Sequence, residues 1–270
     1  MEPGFAPSEI DTSRPHPARM YDYYLDGKDN YVVDREAAAA VLRVLPEARD
    51  IARDNRAFLQ RVVWYLVGQA GIRQIIDVGT GIPTAGNVHE VAQQIEPGVR
   101  VAYVDNDPIV HVHASALLTG QGNTSIVLAD LRDPEAILHH PKVRDLIDFD
   151  APVALLLVAI LHFITDEESP RRIIDAFRGA LAPGSYLALS HGTSDFHNRA
   201  ITEAGTAVYA NATAPLVLRG HRQVAALFEG WDLVEPGVVQ VPLWRPDGQP
   251  HRPRDLAKIG IYGGVGRLSR

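Results

Sequence analysis

The chain has 270 residues, 46% hydrophobic and 22% charged, enough for a sizeable core and too apolar for wholesale disorder. A formal net charge of −7 offers phosphate backbones no general attraction, so nucleic acid is not an expected partner, and the lack of cysteine excludes disulfides and thiolate metal sites. With no basic-then-apolar leader and no apolar run of about 20 residues, the expectation is a cytoplasmic protein without a membrane partner.

Residues 1–18 carry Pro3, Pro7, Pro15 and Pro17 and read as irregular until they meet the body. From Arg19 to Asp34, Tyr21, Tyr23, Tyr24 and Tyr31 interleave with Arg19, Lys28 and Asn30 around Gly27. This is either an amphipathic helix and turn packed on the domain or a lid that excludes water from a bound ligand. Helical patterns follow over about Asp34–Leu45 and about Arg49–Ala70. In the second, Ile51, Phe58, Val62 and Leu66 share one face, and Gly71 closes the helix. Residues 1–70 are therefore expected to form an N-terminal helical appendage on an α/β domain spanning 71–270.

In that domain, short apolar runs alternate with helical stretches. The runs are IIDV (75–78), VAYVD (101–105), SIVLAD (125–130), VALLLV (153–158) and YLALS (186–190). Their β-branched, nearly continuous apolar character suits parallel strands buried on both faces. Segments 84–95, 108–119 and 167–181 are long enough for helical crossovers. "GWDLVEPGVVQVPLW" and "KIGIYGGV" read as two more strands, joined by the polar loop "RPDGQPHRPRD". The expected fold is doubly wound α/β with a mostly parallel seven-stranded sheet. About Asp195 to Phe228 is a cap insertion, with helical patterns through Ile201, Ala204, Val208 and Ala212 and then Val224 and Leu227.

Ligands of such sheets bind beyond the carboxyl ends of the strands. The first strand runs into Asp77, Gly79, Thr80 and Gly81, a turn that brings a ligand close to the backbone. The second ends at Asp105-Asn106-Asp107, where a carboxylate can accept ribose hydroxyls. Asp130-Leu131 follow the third, and Ala159 to Phe163 the fourth. Singly, these residues have local readings. The glycines form a turn, Asp107 caps the helix opened by Pro108, and Asp130 caps a short helix near Pro134. Together, on one sheet edge, they favour an adenosine-containing ligand. A dinucleotide loop would want glycine at position 84, where Thr84 stands.

The D-V-G-T-G turn, D-N-D-P after strand two and A-D-L after strand three resemble class I S-adenosylmethionine-dependent methyltransferases. So does "LLLVAILHFITDEESPRRIIDAFRGALAPGSYLALSH". "RPHPARMYDYYLDGKDNYVVDREAA" and "GWDLVEPGVVQVPLWRPD" are similar to an actinobacterial family of such enzymes first catalogued as a domain of unknown function. The resemblance implies S-adenosylmethionine as cofactor. Asp77, Gly79, Thr80 and Gly81 would line its methionine end, and Asp105 would hold the ribose, with Asn106 beside the adenine. Asp130 would accept from the adenine amino group, Leu131 would give a backbone contact, and Ala159 would sit behind the sulfonium. In the lid reading, Tyr21, Lys28, Asn30 and Tyr31 would close over the methionine end. Pro83 stands where many class I enzymes have a third glycine.

The expected reaction is in-line methyl transfer to a small-molecule acceptor in a dry pocket. His162 is the expected base, with His191 a second candidate and local packing the plainer reading of each. His111 and His113 face different sides of a helix, His139-His140 sit in a loop, and no metal site is expected. Two alternatives are a non-catalytic S-adenosylmethionine sensor and a nicotinamide-dependent oxidoreductase. A closed homodimer is the assembly expected where one forms.

Overall fold

Strands β1 (Gln74–Val78), β2 (Arg100–Asp105), β3 (Thr124–Leu128), β4 (Ala154–Val158) and β5 (Tyr186–Gly192) form the parallel centre of one sheet. The computed structural model describes residues 11–83, 86–118, 122–246 and 256–269. Pro3, Pro7, Thr84 and most of the loop predicted at 245–255 lie outside these. Strands β6 (Asp232–Leu233), β7 (Val239–Gln240) and β8 (Ile261–Arg267) complete an eight-stranded sheet. Its order is β3-β2-β1-β4-β5-β8-β6, with β7 also paired to β8 and β8 antiparallel to β5.

The expected seven strands become eight because the sixth is split. Between its halves, Pro236 has no N–H to donate to a ladder, and Gly237 turns the backbone to φ +84°.

Helices α1 (Pro17–Tyr24), α2 (Val32–Val44) and α3 (Ala48–Trp64) precede the sheet. A π turn over Tyr65–Gln69 carries α3 on to Gly71, whose φ of +74° ends it. The crossovers hold α4 (Val88–Ile95), α5 (Pro108–Leu117), the short α6 (Pro134–Leu138) and α7 (Pro141–Leu146), and α8 (Pro170–Ala180). The cap carries α9 (Arg199–Tyr209) and α10 (His221–Ala226). His139 and His140 fall between α6 and α7, as expected of a connecting loop.

Alternate strand residues divide between two core layers. Ile76, Val104, Leu155 and Leu187 pack with Ile137, Ile173, Phe177 and Val224 of α6, α8 and α10. Ile75, Val101, Tyr103 and Leu156 pack on the other face with Phe58 and Val62 of α3 and Leu66 of the π turn. A third, smaller cluster joins Met20, Tyr24, Val41 and Ala52 of α1–α3 to Tyr209 of α9. Thus the N-terminal helices and the cap pack on each other above the sheet edge.

Phe58 anchors α3. Fully buried, it meets Trp244 edge-on, with ring centroids 5.6 Å apart. Phe58→Ala should cost about 3–5 kcal/mol in urea unfolding. A loss below about 1 kcal/mol would mean that α3 is held by its other contacts.

Candidate functional site

The strand order reverses between β1 and β4, and beyond their carboxyl ends lies a cavity of about 460 Å³, a size typical of small-molecule sites. After β1, Gly79 and Gly81 take φ +76° and +69°. A Cβ on Gly79 would stand 2.7 Å from the Ile160 side chain, so this turn and the loop after β4 touch only because glycine is there. The Gly79 N–H donates to the Val104 carbonyl at 2.8 Å, and the Thr80 hydroxyl donates back to the Asp77 carbonyl at 2.9 Å.

Asp105 closes β2, buried. Its carboxylate accepts from the Gly81 N–H at 2.8 Å and the Asp107 N–H at 2.9 Å. Burial still pushes its pKa up to about 6. Burial also pushes Asp77 up to about 7, with the Arg56 guanidinium opposing the rise and Asp105 adding to it. Arg56, on α3, lines the same cavity and donates to Asn87 at 3.3 Å. Its Nε is buried with no partner among the described residues. One end of the cavity thus holds an acid and a base of opposite charge, neither fully answered by the protein.

Beyond β3, Asp130 accepts from Asn106 at 3.1 Å and from the Arg132 side chain at 3.0 Å, and Leu131 is buried beside it. The capping duty assigned to Asp130 belongs to Asp133, which accepts from the Ala136 N–H at 3.1 Å. Asp107 does cap α5, accepting from Ile109 at 3.0 Å. Ala159, after β4, is held at φ +57°, a conformation that costs a non-glycine residue about 1–2 kcal/mol. A buried hydrogen-bond chain offsets this. The Ala159 N–H donates to Ser190 Oγ at 2.9 Å, and Ser190 donates to Asn55 Oδ1 at 2.6 Å. Asn55 in turn donates to the Tyr21 hydroxyl at 3.0 Å, which donates to the Ala52 carbonyl at 3.0 Å.

The two histidines differ from expectation. His162 lines the cavity, but its Nδ1 accepts from the Gly192 N–H at 3.2 Å. The neutral ring therefore carries its proton on Nε2 and offers a donor rather than the lone pair of a base. Burial, with His191 and Arg219 nearby, keeps its pKa well below the usual histidine value. His191 uses both nitrogens internally: Nδ1–H donates to the Gly192 carbonyl at 2.7 Å, and Nε2 accepts from Arg219 at 2.9 Å. Burial lowers its pKa to about 4. Arg219 also donates to the Leu161 and Ile164 carbonyls at 3.2 and 3.0 Å and to Asp166 at 2.5 Å, so it fixes the loop after β4.

At the N-terminus, Arg19, Tyr21 and Tyr24 of α1 line the cavity, whereas Lys28, Asn30 and Tyr31 do not. The helix ends at Tyr24, and the following turn folds back on its outer side. There Asp22 accepts from the Asp29 N–H at 3.0 Å and from Asn30 at 2.6 Å. Lys28 is exposed, and Tyr31 lies 40% exposed with the Arg19 guanidinium over its ring at 5.6 Å. Arg56, Asn55, Tyr209 and Arg219 were not singled out in the sequence. They lie in helices and a cap whose position over the strand ends is a tertiary fact, although the polar pair Asn55-Arg56 inside an apolar helical face was a signal.

The family model described as S-adenosyl methyltransferase matches residues 3–269. A candidate methyltransferase from Thermobifida fusca YX is 40% identical, with 98% of this chain and 99% of that one covered and a TM-score of 0.91. A DUF574 family protein from Streptomyces avermitilis MA-4680 is 44% identical over 96% of this chain and 99% of that one, with a TM-score of 0.92. Human N-acetylserotonin methyltransferase, solved in complex with S-adenosylmethionine, shares the fold at 11% identity. It covers 96% of this chain and 64% of that one, with a TM-score of 0.51. No curated protein matches the chain.

The pKa of Asp77 sets a test. It is raised in the folded protein, so the unfolded chain loses this proton at lower pH, and stability falls as pH rises from about 4 to about 7. In ligand-free protein Asp77→Asn should raise the melting temperature by several degrees at pH 8, a gain that shrinks towards pH 4. An unchanged or lower melting temperature at pH 8 would show that the carboxylate is satisfied.

Proposed function

The chain belongs to the S-adenosyl methyltransferase family, and from that premise we propose that it methylates a small molecule inside this cavity. The observation that carries the reading is one continuous cavity. It joins Asp77, the Gly79–Gly81 turn, Asp105, Asp130 and Ala159 to a largely apolar chamber under α1 and α9.

The cofactor's chemistry fits the groups present. An amino acid end bears an ammonium and a carboxylate, which suit Asp77 and the unpartnered Nε of Arg56. Asp105 has acceptor capacity beyond its two backbone donors, as ribose hydroxyls need. Thr80 and Gly81 shape the turn, Asn106, Asp130 and Leu131 would border the adenine, and Ala159 would stand behind the sulfur. Bound there, S-adenosylmethionine supplies a methyl group already activated by its sulfonium. The chain's own residues then position the acceptor and exclude water. Residues 17–64 and the cap at 195–228 act as the lid, closing over the chamber through the cluster that joins Tyr24 to Tyr209.

The net charge of −7 supports a small acceptor over a nucleic acid. Among the described residues no helix is long and apolar enough to cross a membrane, and we place the enzyme in the cytoplasm. A closed homodimer is the assembly we expect where one forms.

Calorimetric titration with S-adenosylhomocysteine tests the cofactor roles. Asp105→Ala should weaken binding at least about tenfold. In the unmodified protein affinity should fall as pH drops through about 6, where Asp105 gains a proton and loses acceptor capacity. Full affinity in Asp105→Ala, or preferential binding of NAD, would sink the assignment.

A further inference from the structure

The chamber beyond the strand ends has a chemistry of its own. Tyr24 and Tyr209 meet there hydroxyl to hydroxyl at 3.3 Å, both buried and both on the cavity wall. Two hydroxyls bring two hydrogens, and their mutual bond uses one. The other has no acceptor among the described residues. The Tyr209 ring lies 5.8 Å from Phe163, which lies 4.4 Å from His162, so all four rings form one wall. On that wall His162 adds a second donor, its Nε2–H. The rest of the chamber is mostly apolar, with Val41, Leu45 and Leu216 in its lining beside Thr202, Thr206 and His197.

Donors left without acceptors, in largely apolar surroundings, define the chemistry a ligand here would need. We propose that the methyl acceptor is a phenol-class hydroxyl on an otherwise apolar molecule, bound as its oxyanion against the Tyr24–Tyr209 pair and His162. This deepens the methyltransferase reading above and rests on it. It also removes the need for a base, which neither His162 nor His191 can supply. The acceptor's proton leaves to solvent on binding. An oxygen lone pair then forms the O–CH₃ bond as the S–CH₃ bond breaks, and the negative oxygen and positive sulfur cancel to leave an ether and a thioether.

Apolar walls disfavour an anion, so these donors alone must outweigh that penalty, and the sulfonium of the reacting complex adds to them. The other charged or titratable groups around the wall are few. His191 and Arg219 lie behind His162, with Asp166 answering the arginine. Arg49 acts on Tyr24. His197 also lines the cavity, with Glu47 acting on it, and keeps Nε2 buried without a partner among the described residues. It is a rival base among the residues that line the cavity.

The test uses the full chain saturated with S-adenosylhomocysteine and two probes of one shape, 4-nitrophenol and 4-nitroaniline. The phenol should bind about tenfold tighter, and its bound form should ionise about one pH unit below the free probe, read by nitrophenolate absorbance. Tyr209→Phe, Tyr24→Phe and His162→Gln should each return that ionisation towards the free value, with undiminished S-adenosylhomocysteine affinity certifying the fold. Equal binding of the aniline, a bound phenol that stays neutral, or no probe binding to the loaded protein would overturn the proposal. Loss of ionisation in His197→Gln, with the other three variants unaffected, would make His197 the base and overturn it too. Failure of S-adenosylhomocysteine itself to bind would instead remove the cofactor reading beneath it.

Discussion

A carboxylate without water must be answered by donors, and the answer at Asp105 organises the carboxyl edge of the sheet. One oxygen takes the N–H of Gly81 and the other takes that of Asp107, so a single side chain ties the turn after β1 to the start of α5. Asp107 is held by Arg19 of α1 at 3.0 Å, with both groups buried. Arg19 also faces the buried Asp34 at 3.7 Å, which accepts from the N–H groups of His16 and Tyr31. An isolated buried charge would be strongly unfavourable. Each member of this series is tolerable because the next one is in place. Strand end, glycine turn and N-terminal helix are therefore set by one electrostatic requirement.

A second series, made of neutral groups, runs from α3 through Asn55 and Ser190 to Ala159. It holds a strained backbone at the end of β4, beside the point where Gly79 admits Ile160. The two series leave α1 on both sides: Arg19 reaches the β2 edge, and Tyr21 reaches α3 and through it the β4 edge. Movement of α1 would disturb both at once. In the proposed lid, that coupling would link the N-terminal helices mechanically to the site they cover.

Much of this was legible in the sequence because it is local. The five apolar runs fall on β1–β5 to within two residues at either end, and Gly71 ends the helix that periodicity placed before it. The acids after β1, β2 and β3 were legible for the same reason, since a strand end fixes where the next residue stands. Lys28, Asn30 and Tyr31 were misplaced because the sequence does not say which way a turn folds, and this one folds outward on Asp22. Arg56 and Tyr209 were missed because nothing near them in sequence shows that α3 and α9 overhang the strand ends. The sixth strand was read as whole although Pro236 and Gly237 are both visible in it.

Charge is distributed unevenly along the cavity, and that follows from what each end has at hand. At the strand edge Asp77 and Arg56 line the same cavity and act on each other electrostatically, a pairing suited to a ligand that carries both signs. Behind His162 the cation Arg219 is spent: Asp166, two backbone carbonyls and His191 absorb its N–H groups. Its cost of burial is met by holding the loop that presents His162. That loop in turn receives the Gly192 N–H, which fixes the imidazole tautomer. A base is thereby converted into a donor by a backbone contact, through a side chain that never touches the cavity. The histidine's role follows from what its other nitrogen already does, and position after β4 alone could not have revealed it.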